Sequence, residues 1–283
     1  QRRIYIERGD RMTTVISPDF YLPSGGNNNP QPPFPFSHPR IGIDSVIKRG
    51  QVTASSTEAG FFVDNLASPW TSERWKPSTM PATLNFSFDA AEIDYIGIAA
   101  HNMGDLGTNI KVEVTTDGIA YTELYSAQVG ENVPIMLLLE SSFISGLRVT
   151  LTGDDAPELG VVYAGKALAM QRCITSGFSP FTMAYDTTIY GGLSEAGQFT
   201  ARTIRRQGID VSASFNNLSP QWVRSNIRPL IKKMRYRPFF FLWRPDLYPF
   251  EAAYVFCDKT DAPSYSSYQF MTWQFSGRGW TDD

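Results

Sequence analysis

Histidine and cysteine are both scarce: each occurs twice in 283 residues. With only His38 and His101, almost no room is left for a histidine-based triad or a multi-histidine metal site. Cys173 and Cys257 allow at most one disulfide, fewer than a secreted disulfide scaffold usually has, and buried free thiols are the plainer expectation. Charged residues make up 19% of the chain, below the roughly 25% typical of globular proteins. The formal net charge of −3 gives no overall attraction to nucleic acid or an anionic membrane. No stretch approaches the roughly 18 apolar residues of a membrane span. The opening QRRIYIERGD is too polar for the apolar region of a signal peptide, so the expectation is a soluble protein made in the cytoplasm without one. Enzyme signatures are missing as well: no GxSxG elbow, Walker loop, HExxH, CxxC or GxGxxG after a strand occurs. Neither enzymatic activity nor a cofactor is therefore expected. Any two of Asp154, Asp155 and Glu158 offer a glycosidase-like carboxylate pair, but their spacing reads more simply as a solvated turn.

What is present favours strands. Hydrophobic residues reach 42% and aromatics 13%, with 22 Gly and 19 Pro to punctuate them. Residues 1–16 alternate as a half-buried strand, with Ile4 and Ile6 on one side. Ser17 to Arg40 is dense in Pro, Gly and Asn, which cannot sustain a ladder, and reads as a connecting arm. Residues 41–170 read as a sandwich of seven or eight short strands, among them Thr83–Asp89 and Ile93–Asn102. Within NIKVEVTTDGIAYTELYS, two alternating strands flank Asp117-Gly118, expected to supply the positive-φ pair of a tight hairpin. From 171 the pattern changes to β-β-α-β-β-β. Ser219 is a natural N-cap, Pro220 suits the first helical turn, and Trp222, Val223, Ile227, Leu230, Ile231 and Met234 line one face. Pro229 is expected to kink or split that helix. The basic run Lys232–Arg237 is the favoured charge for a helix C-terminus rather than a nucleic-acid site. The economical arrangement is a discontinuous body, 1–16 and 171–283, with the sandwich inserted between.

The segment ASSTEAGFFVDNL, a tryptophan after a short gap, FDAAEIDYIGI, TTDGIAYTEL and SGLRVTLTGD together resemble the galactose-binding-like, or discoidin-like, β-sandwich family. In that family SxDGxxW occupies the place of TTDGIAY, so Tyr121 stands where tryptophan is usual. The resemblance implies that Val52, Phe62 and Leu66 are strand and core residues. It also implies that ligands are met at loops on one end, here SPWTSERW and AHNMGDLGTN. Trp70 and Trp75 are candidates for sugar stacking, one of them being the packing tryptophan of the family. Asn102, Asp105 and Asn109 offer oxygens to a sugar or a calcium ion, or simply satisfy a turn; whether a metal binds stays open.

The remaining body, through ARTIRRQGIDVSASF, the helix near Ser219 and FMTWQFSGRGW, resembles the tail-tube-like fold of bacteriophage distal tail and hub proteins. The fold class expected is thus mainly β, a galactose-binding-like sandwich inserted in an α+β tail-tube-like hub domain with one main helix. The resemblance implies a structural subunit of a virion tail tip or baseplate, forming a homo-oligomeric ring, trimer or hexamer, by sheet-edge pairing with other phage tail proteins around it. Arg202, Arg205 and Arg206 would then face a lumen or a neighbour's acids, or merely solvent. A host-surface glycan is the implied partner of the sandwich; no membrane and no sequence-specific nucleic acid is expected. Two other readings stay open: a carbohydrate-binding or adhesion protein acting through the sandwich, and a glycan-degrading fragment.

Overall fold

The computed structural model describes residues 37–175, 177–184, 188–206 and 208–281. The expected strand over 1–16 and most of the arm over 17–40 lie outside the described residues. In chain order the strands are β1 (Arg40–Gly42), β2 (Val52–Ala54), β3 (Ala82–His101), β4 (Asn109–Thr115), β5 (Thr122–Gln128) and β6 (Ile135–Thr152). They continue as β7 (Leu159–Gly165), β8 (Leu168–Ala169), β9 (Thr188–Leu193), β10 (Phe199–Arg206) and β11 (Ile209–Leu218). A helix follows as α1 (Pro220–Trp222), a π turn (Val223–Ile227) and α2 (Arg228–Met234). Last come β12 (Phe239–Leu242), β13 (Ala252–Thr260), β14 (Ser264–Tyr265) and β15 (Met271–Gly279). Among the described residues, no helix is long and apolar enough to cross a membrane.

The chain divides into two compact units, one containing Asp44–Ala167 and the other running from Leu168 onward with the stretch ending at Ile43. The expected division at 41 and 170 shifts inward by three residues because β1 and β8 pair with each other, Arg40 opposite Ala169, in the sheet of the second unit.

In the first unit two long strands do most of the building. The expected separate strands Thr83–Asp89 and Ile93–Asn102 are one 20-residue strand, β3. Breaks in its pairing with β6, between Ser87 and Ala91 and between Ile93 and Tyr95, let both strands bend and serve two layers. One layer runs β2, the first half of β3, the second half of β6, β4 and β5; the other pairs the second half of β3 with the first half of β6 and with β7. Leu84, Phe86 and Phe88 from the first layer and Ile96, Ile98, Leu137 and Val162 from the second share one hydrophobic core, as a sandwich requires. Each such side chain contributes about 1.5–3 kcal/mol on full burial. β3 alternates buried and partly exposed over Ala82–Phe88, whereas every residue of β7 is buried, so the second layer is covered on both faces.

The hairpin between β4 and β5 forms, but not through a positive-φ pair. Only Gly118 has positive φ, +77°. Asp117 instead folds its carboxylate over the six-residue loop, accepting from the amides of Ile119 (2.8 Å) and Ala120 (2.9 Å) and from the Thr115 hydroxyl (2.9 Å). These bonds hold its pKa below the usual carboxylate range. Phe62 is a correction: it is 67% exposed ahead of a 3-10 turn, Val63–Ala67, from which Leu66 alone is buried. A single-turn helix presents one residue inward, and that residue is Leu66.

The main sheet of the second unit is antiparallel, ordered β11-β15-β13-β12-β1-β8 with β14 beside β15. Its helix is capped by Ser219, whose hydroxyl accepts from the Trp222 amide at 3.4 Å. Val223, Ile227, Leu230 and Met234 join Phe215, Phe239, Phe241, Val255 and Phe275 in one core. The helix is divided into α1, the π turn and α2, and Pro229 is the second residue of α2. Lacking an N–H for the carbonyl of Ser225, it is accommodated by the widened π turn, in which the Arg228 amide bonds Val223. Strands β9 and β10 form a separate two-stranded sheet.

Candidate functional site

One end of the sandwich gathers four loops: 68–76, 102–108, 129–134 and 153–158. Trp75 anchors the first. It is fully buried, its indole N–H donates to Thr57 Oγ1 at 3.1 Å, and its backbone pairs with Leu159 at the start of β7 (2.7 and 2.9 Å). Its neighbour Arg74 has its carbonyl held by Asn65 Nδ2 at 2.8 Å, and its guanidinium reaches Glu158 Oε2 at 3.3 Å. The Glu158 amide in turn donates to Asn102 Oδ1 at 2.7 Å, joining the third strand's end to the fourth loop. Asn132 Oδ1 accepts from the amides of Gly104 (2.8 Å) and Asp105 (3.3 Å). At Gly104 any Cβ would lie 2.4 Å from the backbone carbon of Glu131, so only glycine lets these two loops touch.

His101 closes the end of β3 from inside. It is fully buried, and its Nε2 donates to the Val133 carbonyl at 2.9 Å. Burial pushes its pKa down to about 4, so the ring is neutral at pH 7. A buried neutral ring of this kind fixes loop 129–134 to the strand and is unsuited to exchanging protons with a bound substrate.

The two tryptophans that the sequence left undecided therefore separate. Trp75 is the packing residue, and its candidacy as a ligand contact is withdrawn because no face of it reaches solvent. Trp70 is 46% exposed. Its carbonyl accepts from the Glu73 amide at 3.3 Å, and Glu73 pairs with Arg49 at 2.8 Å, so the turn that presents it is tied down on both sides. Asn102 is engaged in holding the 153–158 loop. Asp105 is exposed in the 102–108 loop, and Asn109 begins β4, opposite Gln128 and Thr152. No hydrogen bond joins any two of these three. Among the described residues no group of three His, Cys, Asp or Glu side chains converges as a metal site would. Asp154 and Asp155 are exposed in the same loop as Glu158, whose carboxylate is committed to Arg74.

Two features had no signal in the sequence. The Arg74–Glu158 pair joins residues 84 positions apart. On the outer face of the first layer, the Arg148 guanidinium lies 3.6 Å over the Tyr121 ring while its Nε donates to Asn85 at 3.0 Å. The Tyr121 ring thus stacks against a cation. In the second unit Arg202 is exposed on β10, and Arg205 and Arg206 belong to the same strand. Cys173 is exposed and Cys257 buried, both as free thiols. Burial pushes the Cys257 thiol up to about 11.

No family profile and no curated protein matches the chain. Solved structures similar to part of it include the module CpGH89CBM32-5 from Clostridium perfringens, in complex with GalNAc-β-1,3-galactose. Its TM-score is 0.37 at 12% identity, covering 43% of this chain and 100% of that one. Chitosan-binding module 1 of a chitosanase/glucanase from Paenibacillus sp. IK-5 gives 0.39 at 15%, covering 44% and 99%. The CBM32 of AlyQ, in complex with 4,5-unsaturated mannuronic acid, gives 0.36 at 21%, covering 44% and 96%. At such scores these likenesses assign no residue and no ligand, and the sandwich rests on the strand pairing described above.

Proposed function

We propose that residues 44–167 form a non-catalytic glycan-binding module whose contact surface is the loop end around Trp70. The observation that carries this reading is the division of labour between Trp70 and Trp75. One indole is spent entirely on fixing the loop, and the other stands half exposed on it. A pre-positioned indole offers an apolar face to a sugar ring, with little ordering entropy left to lose. Asp105, exposed at the same end, supplies a carboxylate for sugar hydroxyls. Screening the purified chain and its Trp70→Ala variant on a glycan array tests the reading: retention by the wild type that disappears in the variant supports it, and equal retention by both sinks it.

A second reading attaches to residues from 168 onward: a virion structural subunit, of tail-tip or baseplate kind, that assembles a homo-oligomeric ring with the sandwich displayed outward. The observation favouring it is the β9–β10 sheet. Two-stranded ribbons are marginal in water, and exposed edges invite pairing with another chain. Ile189, Tyr190 and Phe199 on this ribbon are 43%, 53% and 94% exposed. Light scattering distinguishes the readings: a trimer or hexamer supports the ring, and a monomer at high concentration leaves the glycan module alone.

A further inference from the structure

The modest net charge of the whole chain conceals a segregation. Residues 44–167 hold 7 Lys and Arg against 16 Asp and Glu, a formal −9. Residues 168–283 hold 13 against 9, a formal +4. The positive excess is concentrated on the helix: between Ser219 and Arg237 there are six basic residues and no acidic one. Arg224, Arg228, Lys232 and Arg235 recur at spacings of four, four and three, and all are exposed. They make a stripe about 16 Å long at 1.5 Å rise per residue.

Helix electrostatics account for only part of this stripe. The macrodipole favours Lys232, Lys233 and Arg235 near the C-terminus, but it gives no reason for Arg224, which lies just past the first turn, or for Arg228. Like charges four apart also repel along the helix. Among the described residues Arg224, Arg228, Lys232, Arg235 and Arg237 form no ion pair with a carboxylate; Arg224 donates instead to the Pro220 carbonyl (2.8 Å) and the Tyr265 hydroxyl (2.9 Å). Tyr265, 54% exposed and bonded to Arg224, extends the surface beyond the helix with an amphipathic ring of the type that interfaces favour.

We propose that this helix face is the docking surface for the acidic sandwich unit of a second copy of the chain. Each copy carries a unit of net negative charge and a basic helix face, so a second copy supplies the complement of either, and the contact is head-to-tail and closes into a ring or extends into a filament. It does not rest on glycan binding, and it is distinct from edge pairing through β9–β10, because its attraction is ionic and screened by salt.

The test is the solution mass of the full chain by light scattering in about 20 mM and about 300 mM NaCl, where the screening length differs severalfold. Wild type is expected to self-associate at low salt and to weaken by roughly tenfold or more at high salt. The exposed double substitution Arg228→Glu with Lys232→Glu should abolish the low-salt species while the chain stays folded, the lost dipole contact of Lys232 lowering the melting temperature by no more than a few degrees. A control pair on the ribbon, Tyr190→Ser with Phe199→Ser, should leave it intact, which separates this contact from ring formation by edge pairing. Three results overturn the proposal: a wild type monomeric at low salt, an association that survives the double substitution, or one that salt does not weaken. Binding of a labelled oligonucleotide of roughly 20 nucleotides by monomeric wild type, lost in the variant, would reassign the stripe to a phosphate backbone and equally overturn the second-copy reading.

Discussion

Replacing Trp70 and Trp75 separately by alanine should give opposite results from the same chemical change. Trp75 has no solvent exposure, and its N–H is bonded to Thr57. Truncating a buried tryptophan costs about 3–5 kcal/mol through lost burial and the cavity left behind. It also frees the strand-like pairing with Leu159 from its anchor. Thr57→Val, which removes only the acceptor, should cost about 1–3 kcal/mol by leaving the buried indole N–H unmatched. Trp70→Ala, at a half-exposed position, should cost about 1 kcal/mol or less. Urea titration with hydrogen exchange at the β3 and β7 amides reports on the sandwich independently of the second unit. Equal losses for the two tryptophans, or a Trp75→Ala loss below about 1 kcal/mol, would refute the assignment of anchor and platform.

Two further predictions concern acid. His101 has a folded pKa of about 4 against an ordinary value of 6.5. The unfolded chain therefore binds a proton that the folded one excludes, and stability falls as pH drops from about 6.5 toward 4. Most of the loss, about 2 kcal/mol between pH 7 and pH 5 by proton linkage, precedes the bulk of carboxylate titration. His101→Gln should flatten this slope, and an unchanged slope in denaturation midpoints would show that the ring is not buried neutral. At Asp117 the sign is also toward loss in acid: its pKa is lowered, so its three loop bonds persist above the ordinary carboxylate range and disappear as pH falls through the lowered value. Asp117→Ala should accordingly speed amide exchange at Ile119 and Ala120 at neutral pH while leaving the β3–β6 pairing untouched; unchanged exchange would contradict the loop geometry.

Local chemistry was the part of the fold most legible in the sequence. Ser219 and Pro220 announce a helix start because capping and a fixed φ act within one turn. The β4–β5 alternation is readable because its two strands pair with each other across a short loop. What depends on distant partners was not legible. Trp70 and Trp75 sit in one irregular loop with no period to assign a face, and only the pairing with Leu159 decides which goes inward. Phe62 looks like a core residue by type, yet the 3-10 turn that follows it directs Leu66 inward instead. The separate strands expected at 83–89 and 93–102 are one strand because polar residues around Asp89 mark a bend rather than an end. The Asn102–Glu158–Arg74 chain that builds the loop end spans three segments, and nothing in any one of them predicts the others.

The central claim is that Trp70 presents a sugar-stacking surface on a loop that Trp75 holds rigid. Its most direct test is titration of a glycan retained on an array into wild type and Trp70→Ala, read by calorimetry, with the two melting temperatures measured alongside. The account predicts saturable binding by wild type, weakened at least tenfold in the variant with the melting temperature lowered by no more than a few degrees, since a single aromatic contact buried on binding is worth about 1.4 kcal/mol or more. Binding that survives the loss of Trp70, with both proteins folded, would contradict it.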